Sequence, residues 1–523
     1  MRRKHIMRLV LGLVPAILLV GPVFADGGGN IRLGYVITDE EGHLGVNQET
    51  FNLYDGPVVS INDFQYQTTS GFNFAADLNR MALNNRNLRA SASKAGLFGL
   101  TLSNNQYRRT YDFEGNRFTR RRNTAAQAHF YPMRKIKLFG GYGRTDKHGE
   151  NFHVFQPVND TVITATDYTQ TRFNLGAQAS FDQGHLRTEY RRLDFTDDAS
   201  GGDDRQSDVF SLLAFAPLSR YKQVVLSGGY NYRRDRHESS AVELTTNQGW
   251  GAFRARLPHN FSTEYRFLFA RTEQNTTEVE TDNVVNTFSI SRNWTARGGL
   301  RIGYENRISD DLIDRTVANS ILFSGWYRIN NAWLFRGRFS TRARDVKTGT
   351  TLVGDENFTR HQLSVKYRQE SWGDLTLRYQ GRIKTNVDIN TRIEYNAVTA
   401  ALNLVQPKYG RMNLTYTYYL GQFENRSTAS PEEFEFSDHV LSGTIHPATH
   451  GNLETSFGAT YYRSRRDRDT EKFSLDFGAR YEFPMDHILE LRYRVCNFDD
   501  FQVSDRYYTG NIIDLSIIKG FTL

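Results

Sequence analysis

Acids and arginines lie close together at several points of the chain. Glu264 stands beside Arg266, and Asp476, Arg480, Glu482, Glu490 and Arg492 follow one another near the C-terminus. Paired carboxylates can do general acid–base work when their surroundings push their proton affinities apart. Here each acid has a cation within a few residues, a pattern that gives ion-pair ladders between neighbouring strands. His185, His259, His446, His450 and His487 all fall at breaks between apolar runs, where a histidine is ordinarily a polar turn residue. Cys496 is the only cysteine, so the chain has no C-x-x-C-H haem attachment, no cysteine zinc site and no internal disulfide. G-x-S-x-G, H-E-x-x-H and P-loop patterns are also missing. Nothing in these residues argues for an enzyme, and neither a catalytic nor a metal site is assigned.

The elements that carry these residues are strands. From Lys472 to Asn497, Phe473, Leu475, Phe477, Ala479, Tyr481 and Phe483 alternate with Ser474, Asp476, Gly478, Arg480 and Glu482. Side chains of a strand point alternately to two faces, so one face is apolar and the other polar. Pro484-Met485-Asp486 breaks the run, and alternation resumes with Leu489, Leu491, Tyr493 and Val495. Two such runs of about ten residues form a hairpin long enough to cross a bilayer at a tilt. Breaks recur near Pro132, Gln183, Ser219, His259, Thr295, Asn331, Trp372, Lys408, Thr449 and Met485, 36 to 41 residues apart after Gln183. That period matches one transmembrane hairpin. A propeller blade of similar length would hold four short strands and a Gly-His…Trp-Asp signature, which the chain lacks.

Residues 1–25 carry a basic start (Arg2, Arg3, Lys4, Arg8), an apolar stretch and Ala25 at a cleavage position, the pattern of a secretory signal peptide. Its removal takes away four positive charges and no acid, lowering the net charge from +7 to +3. The basic balance therefore gives no support for nucleic-acid binding. Beyond residue 25 no apolar run is long enough for a spanning helix. The mean hydropathy of −0.58 is compatible with a barrel, whose membrane signal lies in alternation. Tyrosine (28) and phenylalanine (36) far outnumber methionine (6), as aromatic girdles require.

In chain order, strands are expected at Ile31–Thr38, Val58–Gln67, Phe72–Met81, Leu88–Ser93, Phe98–Arg108, Ala125–Tyr131 and Ile136–Arg144. Nine further hairpins and a last strand, Asn511–Leu523, complete the chain. The expected fold is an all-β, single closed antiparallel transmembrane barrel over residues 26–523, with about 26 strands within a range of 22–28. The last strand pairs with the first and abolishes the sheet edge. Pro132, Pro217, Pro258, Pro407, Pro447 and Pro484 mark short periplasmic turns. Longer outer connections are expected at 110–121, 146–167, 273–283, 345–356 and 422–435. The location implied is the outer membrane of a Gram-negative bacterium.

Tyr-Arg recurs at strand ends: Tyr107-Arg108, Tyr190-Arg191, Tyr232-Arg233 and Tyr462-Arg463. Tyrosine suits the membrane interface, and arginine beside it can grip lipid phosphate. Arg108, Arg191, Arg233 and Arg463 are therefore candidates for an outer-rim lipopolysaccharide belt, against the alternative of an ordinary solvated rim. On the polar face Gly141, Gly143, Gly176, Ser227, Gly229, Ser456 and Gly458 are small. They are candidates for lumen positions that a partner's backbone approaches, or simply for easing curvature. Cys496 is expected on the wet face near a strand end.

Some 26 strands would enclose a wide hole, and residues 26–57 are too few for a globular plug. The occupant is expected to be another protein. Here the chain resembles the MtrB/PioB type of large outer-membrane porin from porin–cytochrome electron conduits. The likeness covers the mature chain and rests on strand count, on turns such as F-Y-P-M-R-K and F-A-P-L-S-R-Y, and on the Tyr-Arg ends. The stretches N-I-R-L-G-Y-V-I-T-D-E-E-G and L-N-N-R-N-L-R-A-S are also similar to homologues from metal-reducing bacteria. The resemblance implies a sheath that holds a periplasmic multihaem c-type cytochrome across the membrane, insulates its haems from lipid and docks an outer-surface cytochrome. Haem then belongs to the partner, and this chain binds no cofactor. Some members carry a C-x-x-C pair near the mature N-terminus, which is missing here. Two other classes stay open. One is a large solute channel (a diffusion porin or polysaccharide exporter), for which inward Arg336, Arg338, Arg378, Arg382 and Lys384 would attract anions. The other is a structural or adhesive barrel.

Overall fold

A computed structural model describes residues 25–523 apart from 45, 48–51, 111–117, 156–159, 200–203, 219–222, 277–278, 295–296, 312–313, 347–354, 389, 427–431, 485–486 and 504–505. Residues 1–24, which hold most of the expected signal peptide, and Met485 thus lie outside the described residues. The rest is one 26-stranded antiparallel sheet closed on itself. Strands β1 (Ala25–Gly42) and β2 (Gly56–Thr68) open the chain, and β26 (Tyr507–Thr522) ends it. Each strand pairs with the next, and β1 pairs with β26 from Gly28↔Thr522 to Gly42↔Tyr508. Closure leaves no unpaired edge, the condition for a sheet in hydrocarbon.

Most strands are longer than the apolar alternation suggests. A correction falls on 146–167, expected as a loop. β7 (Ile136–Phe155) and β8 (Asp160–Phe181) continue their ladder through it to Phe155↔Asp160. The segment is polar, but polar strands pair as well in water as apolar ones do in lipid, so the ladder outlasts the greasy band. The same holds on a smaller scale for 110–121, flanked by β5 (Phe98–Thr110) and β6 (Phe118–Met133). Of the turn prolines, Pro132 lies in the irregular end of β6, where the register slips between Phe130 and Met133. Pro258 opens a single 3-10 turn, with His259 in the left-handed region at φ 59°.

Exposed large apolar side chains mark the lipid face. Leu33, Tyr35, Ile37, Leu363, Leu377, Leu515 and Ile517 are among them, each followed by a residue of the opposite face. On the lipid face a tyrosine hydroxyl repeatedly donates to an asparagine one strand on. The pairs are Tyr230–Asn247 (2.6 Å), Tyr265–Asn286 (2.8 Å), Tyr304–Asn319 (2.7 Å), Tyr379–Asn396 (3.0 Å) and Tyr493–Asn511 (2.9 Å). Each bond satisfies the phenol where water is scarce.

The seam between first and last strands is reinforced from inside. Arg32 of β1 donates from one guanidinium nitrogen to both oxygens of Asp514 (3.1 Å each) and from another to Ser516 Oγ (3.0 Å). It also lies 3.7 Å from Glu490. Between β1 and β2, Val46, Asn47 and Leu53 are buried inside the barrel. Leu53 is fully buried against Val36, Val58, Ile512 and Leu83, the last from the connection between β3 (Phe72–Asn79) and β4 (Asn87–Lys94). Asn47 donates to Glu40 (2.6 Å) and to the Leu53 carbonyl (3.0 Å), and Tyr508 donates to the same Glu40 (2.8 Å). Cys496 lies on the inner face near a strand end, as expected, but is fully buried, packed with Val46 and Tyr508.

Short turns at the end bearing both chain termini should face the periplasm, and the opposite connections should face outward. Asn159 and Met485 lie outside the described residues, but Ser240 and Ala95 are exposed tips of opposite ends. On whole cells a membrane-impermeant maleimide should label Ser240→Cys and spare Ala95→Cys. Wild type should stay unlabelled, because Cys496 is buried. The reverse pattern would reject this orientation.

Candidate functional site: the lumen wall

Strand alternation sets the inner wall. Gly141 and Gly143 flank the exposed, lipid-side Tyr142, and Gly176 follows exposed Leu175. Ser227 and Gly229 flank the face of Leu226 and Tyr230 in β11 (Val224–His237). Ser456 and Gly458 flank Phe457 in β23 (Leu453–Arg466). All seven residues fall on the lumen side. They are not equally open. An added Cβ at Gly229 would meet Trp250 Nε1 at 2.6 Å, and at Gly176 it would meet the ring of Phe139. These two are roofed by the barrel's own aromatics. Gly143 and Gly458 meet nothing closer than 3.9 and 3.4 Å.

The four rim arginines divide between the faces. Arg108 shares the lipid face of Leu100 and Leu102, its guanidinium 3.6 Å from the centre of the Phe118 ring. Arg463 shares the face of Phe457 and is held by Asp469 (2.6 Å) and Glu471 (3.4 Å). Arg191 and Arg233 turn into the lumen instead, to Glu189 (3.0 Å) and Asp235 (2.6 Å). In Tyr-Arg-Arg the tyrosine shares its face with the second arginine, because alternation has period two. Arg192 and Arg234 therefore stand beside Tyr190 and Tyr232, paired with Asp194 and Glu243.

Carboxylates on the inner wall are gripped by several cations each. Glu189 meets Arg187 (2.8 Å) and Arg191. Glu264 meets Arg254 (3.0 Å), Arg266 and Arg301 (3.9 Å), and Arg494 holds Asp476. Such pairing fixes the acids in place and suits a stiff wall. Among the described residues no three His, Cys, Asp or Glu side chains converge on a common metal-sized point. His185 stacks on Phe215, with centroids 5.2 Å apart, while His446 and His450 share the turn between β22 (Glu432–Pro447) and β23.

A different composition marks β17 (Trp333–Val346), β18 (Glu356–Gln369) and β19 (Gly373–Asn386). Their inner face carries Arg336, Arg338, Arg360, Arg378 and Arg382, all exposed to the lumen. Arg360 lies directly opposite Arg382 in the ladder. Sequence reading had four of these five and missed Arg360, although the alternation of Arg360 with exposed Leu363 was available to place it.

No protein-family model matches the chain, and no curated protein does. Solved structures do resemble it. The FrpB iron transporter from Neisseria meningitidis superposes with a TM-score of 0.53 at 9% identity, covering 94% of this chain and 81% of that one. The siderophore receptor PirA from Acinetobacter baumannii gives 0.50 at 8%, covering 96% and 81%. The ferric enterobactin receptor PfeA from Pseudomonas aeruginosa gives 0.50 at 8%, covering 95% and 80%. At such identities the likeness is one of fold. The chain is a large closed outer-membrane β-barrel.

Proposed function

We propose that this barrel is a sheath. It holds a periplasmic multihaem c-type cytochrome across the outer membrane, meets an outer-surface cytochrome, and so serves extracellular electron transfer. The observation that carries the reading is the uncovered inner wall. The chain exposes 32969 Å², against about 19,000 Å² for a compact protein of its mass. Lipid covers only the outer face. Strands about 4.8 Å apart and tilted about 40° give 26 of them a free bore of about 40 Å. A folded domain of about 100 residues is roughly 34 Å across and would fit. Among the described residues, Leu53 and Leu83 fill the side of the bore beside β1, a partial filling. Haem would arrive with the partner, because a single cysteine cannot make the paired thioether attachment. Outside, Arg108, Arg192, Arg234 and Arg463 would meet lipopolysaccharide phosphates.

A second reading has its own support. Arg336, Arg338, Arg378, Arg382 and Lys384 all lie on the lumen side, as an anion-selective solute channel would require. FrpB, whose fold this barrel resembles, is an iron transporter. The two readings part on one experiment. Affinity-tagged barrel extracted from its native membranes in mild detergent should be red, with the absorption bands of reduced c-type haem. A colourless wild-type barrel that conducts ions selectively in planar bilayers would replace the sheath by the channel.

A further inference from the structure

We propose that the inner face of β17–β19 is a docking stripe for an acidic surface of the protein that fills the lumen. The proposal rests on the sheath reading above. Elsewhere on the inner wall the carboxylates named above are shared among neighbouring arginines. On these three strands the supply of acid runs out. Glu356 is taken by Arg342, Arg344 (3.6 Å) and Lys384 (3.0 Å), and Asp374 by Lys366 (3.1 Å). Among the described residues no other carboxylate reaches the stripe, and Arg336, Arg338, Arg360 and Arg378 have no counterion there. Arg382 has only the ring of Phe358, 5.2 Å from its centroid.

Like charges placed directly opposite on neighbouring strands destabilise a sheet, as Arg360 and Arg382 must. Arg336 and Arg378 add to the repulsion across Ser364, which stands opposite both. The flanking positions are neutral apart from Arg301, which lies 3.9 Å from Glu264. Ser324, Trp326, Gln362 and Ser364 line the same concavity of about 360 Å³ as Arg336, Arg338 and Arg378. A wall that keeps cations apart from its own acids gains from an external anion. A protein surface suits the site better than a small ion, because the charges run along the strands through successive layers. Guanidinium groups, weakly hydrated and forked, also bind carboxylates in pairs.

The test uses R338E/R360E/R378E and the neutral R338Q/R360Q/R378Q in the full chain, expressed in native membranes. Removing these charges relieves repulsion within the wall, so both variants should keep the mobility shift of folded barrel on unboiled gels. Haem retained by the tagged barrel is read by absorbance across a salt series. Wild type should hold its haem at physiological ionic strength, where the screening length is about 8 Å. The glutamate variant should retain at least about tenfold less, and the glutamine variant should release haem at lower salt than wild type. Equal retention by all three proteins at every salt concentration would overturn the stripe and leave the sheath standing. A haem-free wild type whose anion preference in planar bilayers reverses in the glutamate variant would overturn both, and give the stripe to small solutes.

Discussion

Arg32→Ala should destabilise the folded barrel by about 3–5 kcal/mol, the usual cost of stripping a buried charge of its partner. Asp514 has only 4% of its side chain exposed, and Arg32 supplies both of its guanidinium hydrogen bonds. Without Arg32, Glu490 keeps Arg492 (2.9 Å), but Asp514 keeps only the Ser516 hydroxyl (3.0 Å) among the side-chain hydrogen bonds of the described residues. The measurement is denaturant unfolding in lipid vesicles, followed by the gel mobility of the unboiled protein. The variant should unfold at clearly lower denaturant than wild type. Arg32→Met combined with Asp514→Leu should recover most of the loss, because it removes both charges together. If the single variant unfolds with wild type, the network contributes nothing to the seam.

Gly143→Trp and Gly458→Trp, separately or combined, should leave a barrel that reaches the membrane yet loses its haem and its electron transfer. Both positions face the lumen and neither is roofed by the wall, so an indole there projects into the bore. Overpacking costs about 1–3 kcal/mol per site where neighbours cannot yield. Against a rigid partner, two such sites would lower retention by roughly one to four orders of magnitude. Gly229→Trp is a poor probe of the same idea. Its side chain would strike Trp250 of the barrel itself, so a defect there could arise without any partner. Full haem retention by the Gly143 and Gly458 variants would show that no partner packs against these glycines.

The strand count was legible because hairpins repeat at a near-constant period and every strand carries its own alternation. Strand ends were not legible. Between Asp146 and Asp167 the polar sequence resembles a loop, yet its backbone bonds persist beyond the lipid. The face of each rim arginine follows from parity alone, and Arg191 and Arg233 were assigned to the rim by their nearness to tyrosine instead. The inward cluster left almost no signal. Leu53 and Leu83 lie in short stretches without strand-like alternation, and the Ile512 they help bury lies more than four hundred positions away. Roofing of Gly176 and Gly229 was equally hidden, since it depends on which neighbouring strand places an aromatic opposite.

Every strand but one finds its next partner a few residues along the chain, and such hairpins form in about 1–10 μs in small systems. The exception is the pair that closes the cylinder. Arg32 and Asp514 are 482 positions apart, and bringing ends so distant together costs about 5–6 kcal/mol of chain entropy before any contact repays it. Assembly should therefore run as twenty-five local steps and one long-range step. Until Tyr507–Thr522 has been delivered, β1 and the newest strand both present open ladders to anything that can add to them. Biogenesis must shield those two edges for as long as the chain is incomplete. A chain that lost its final seventeen residues would remain a sheet in search of a partner, prone to close on another copy of itself.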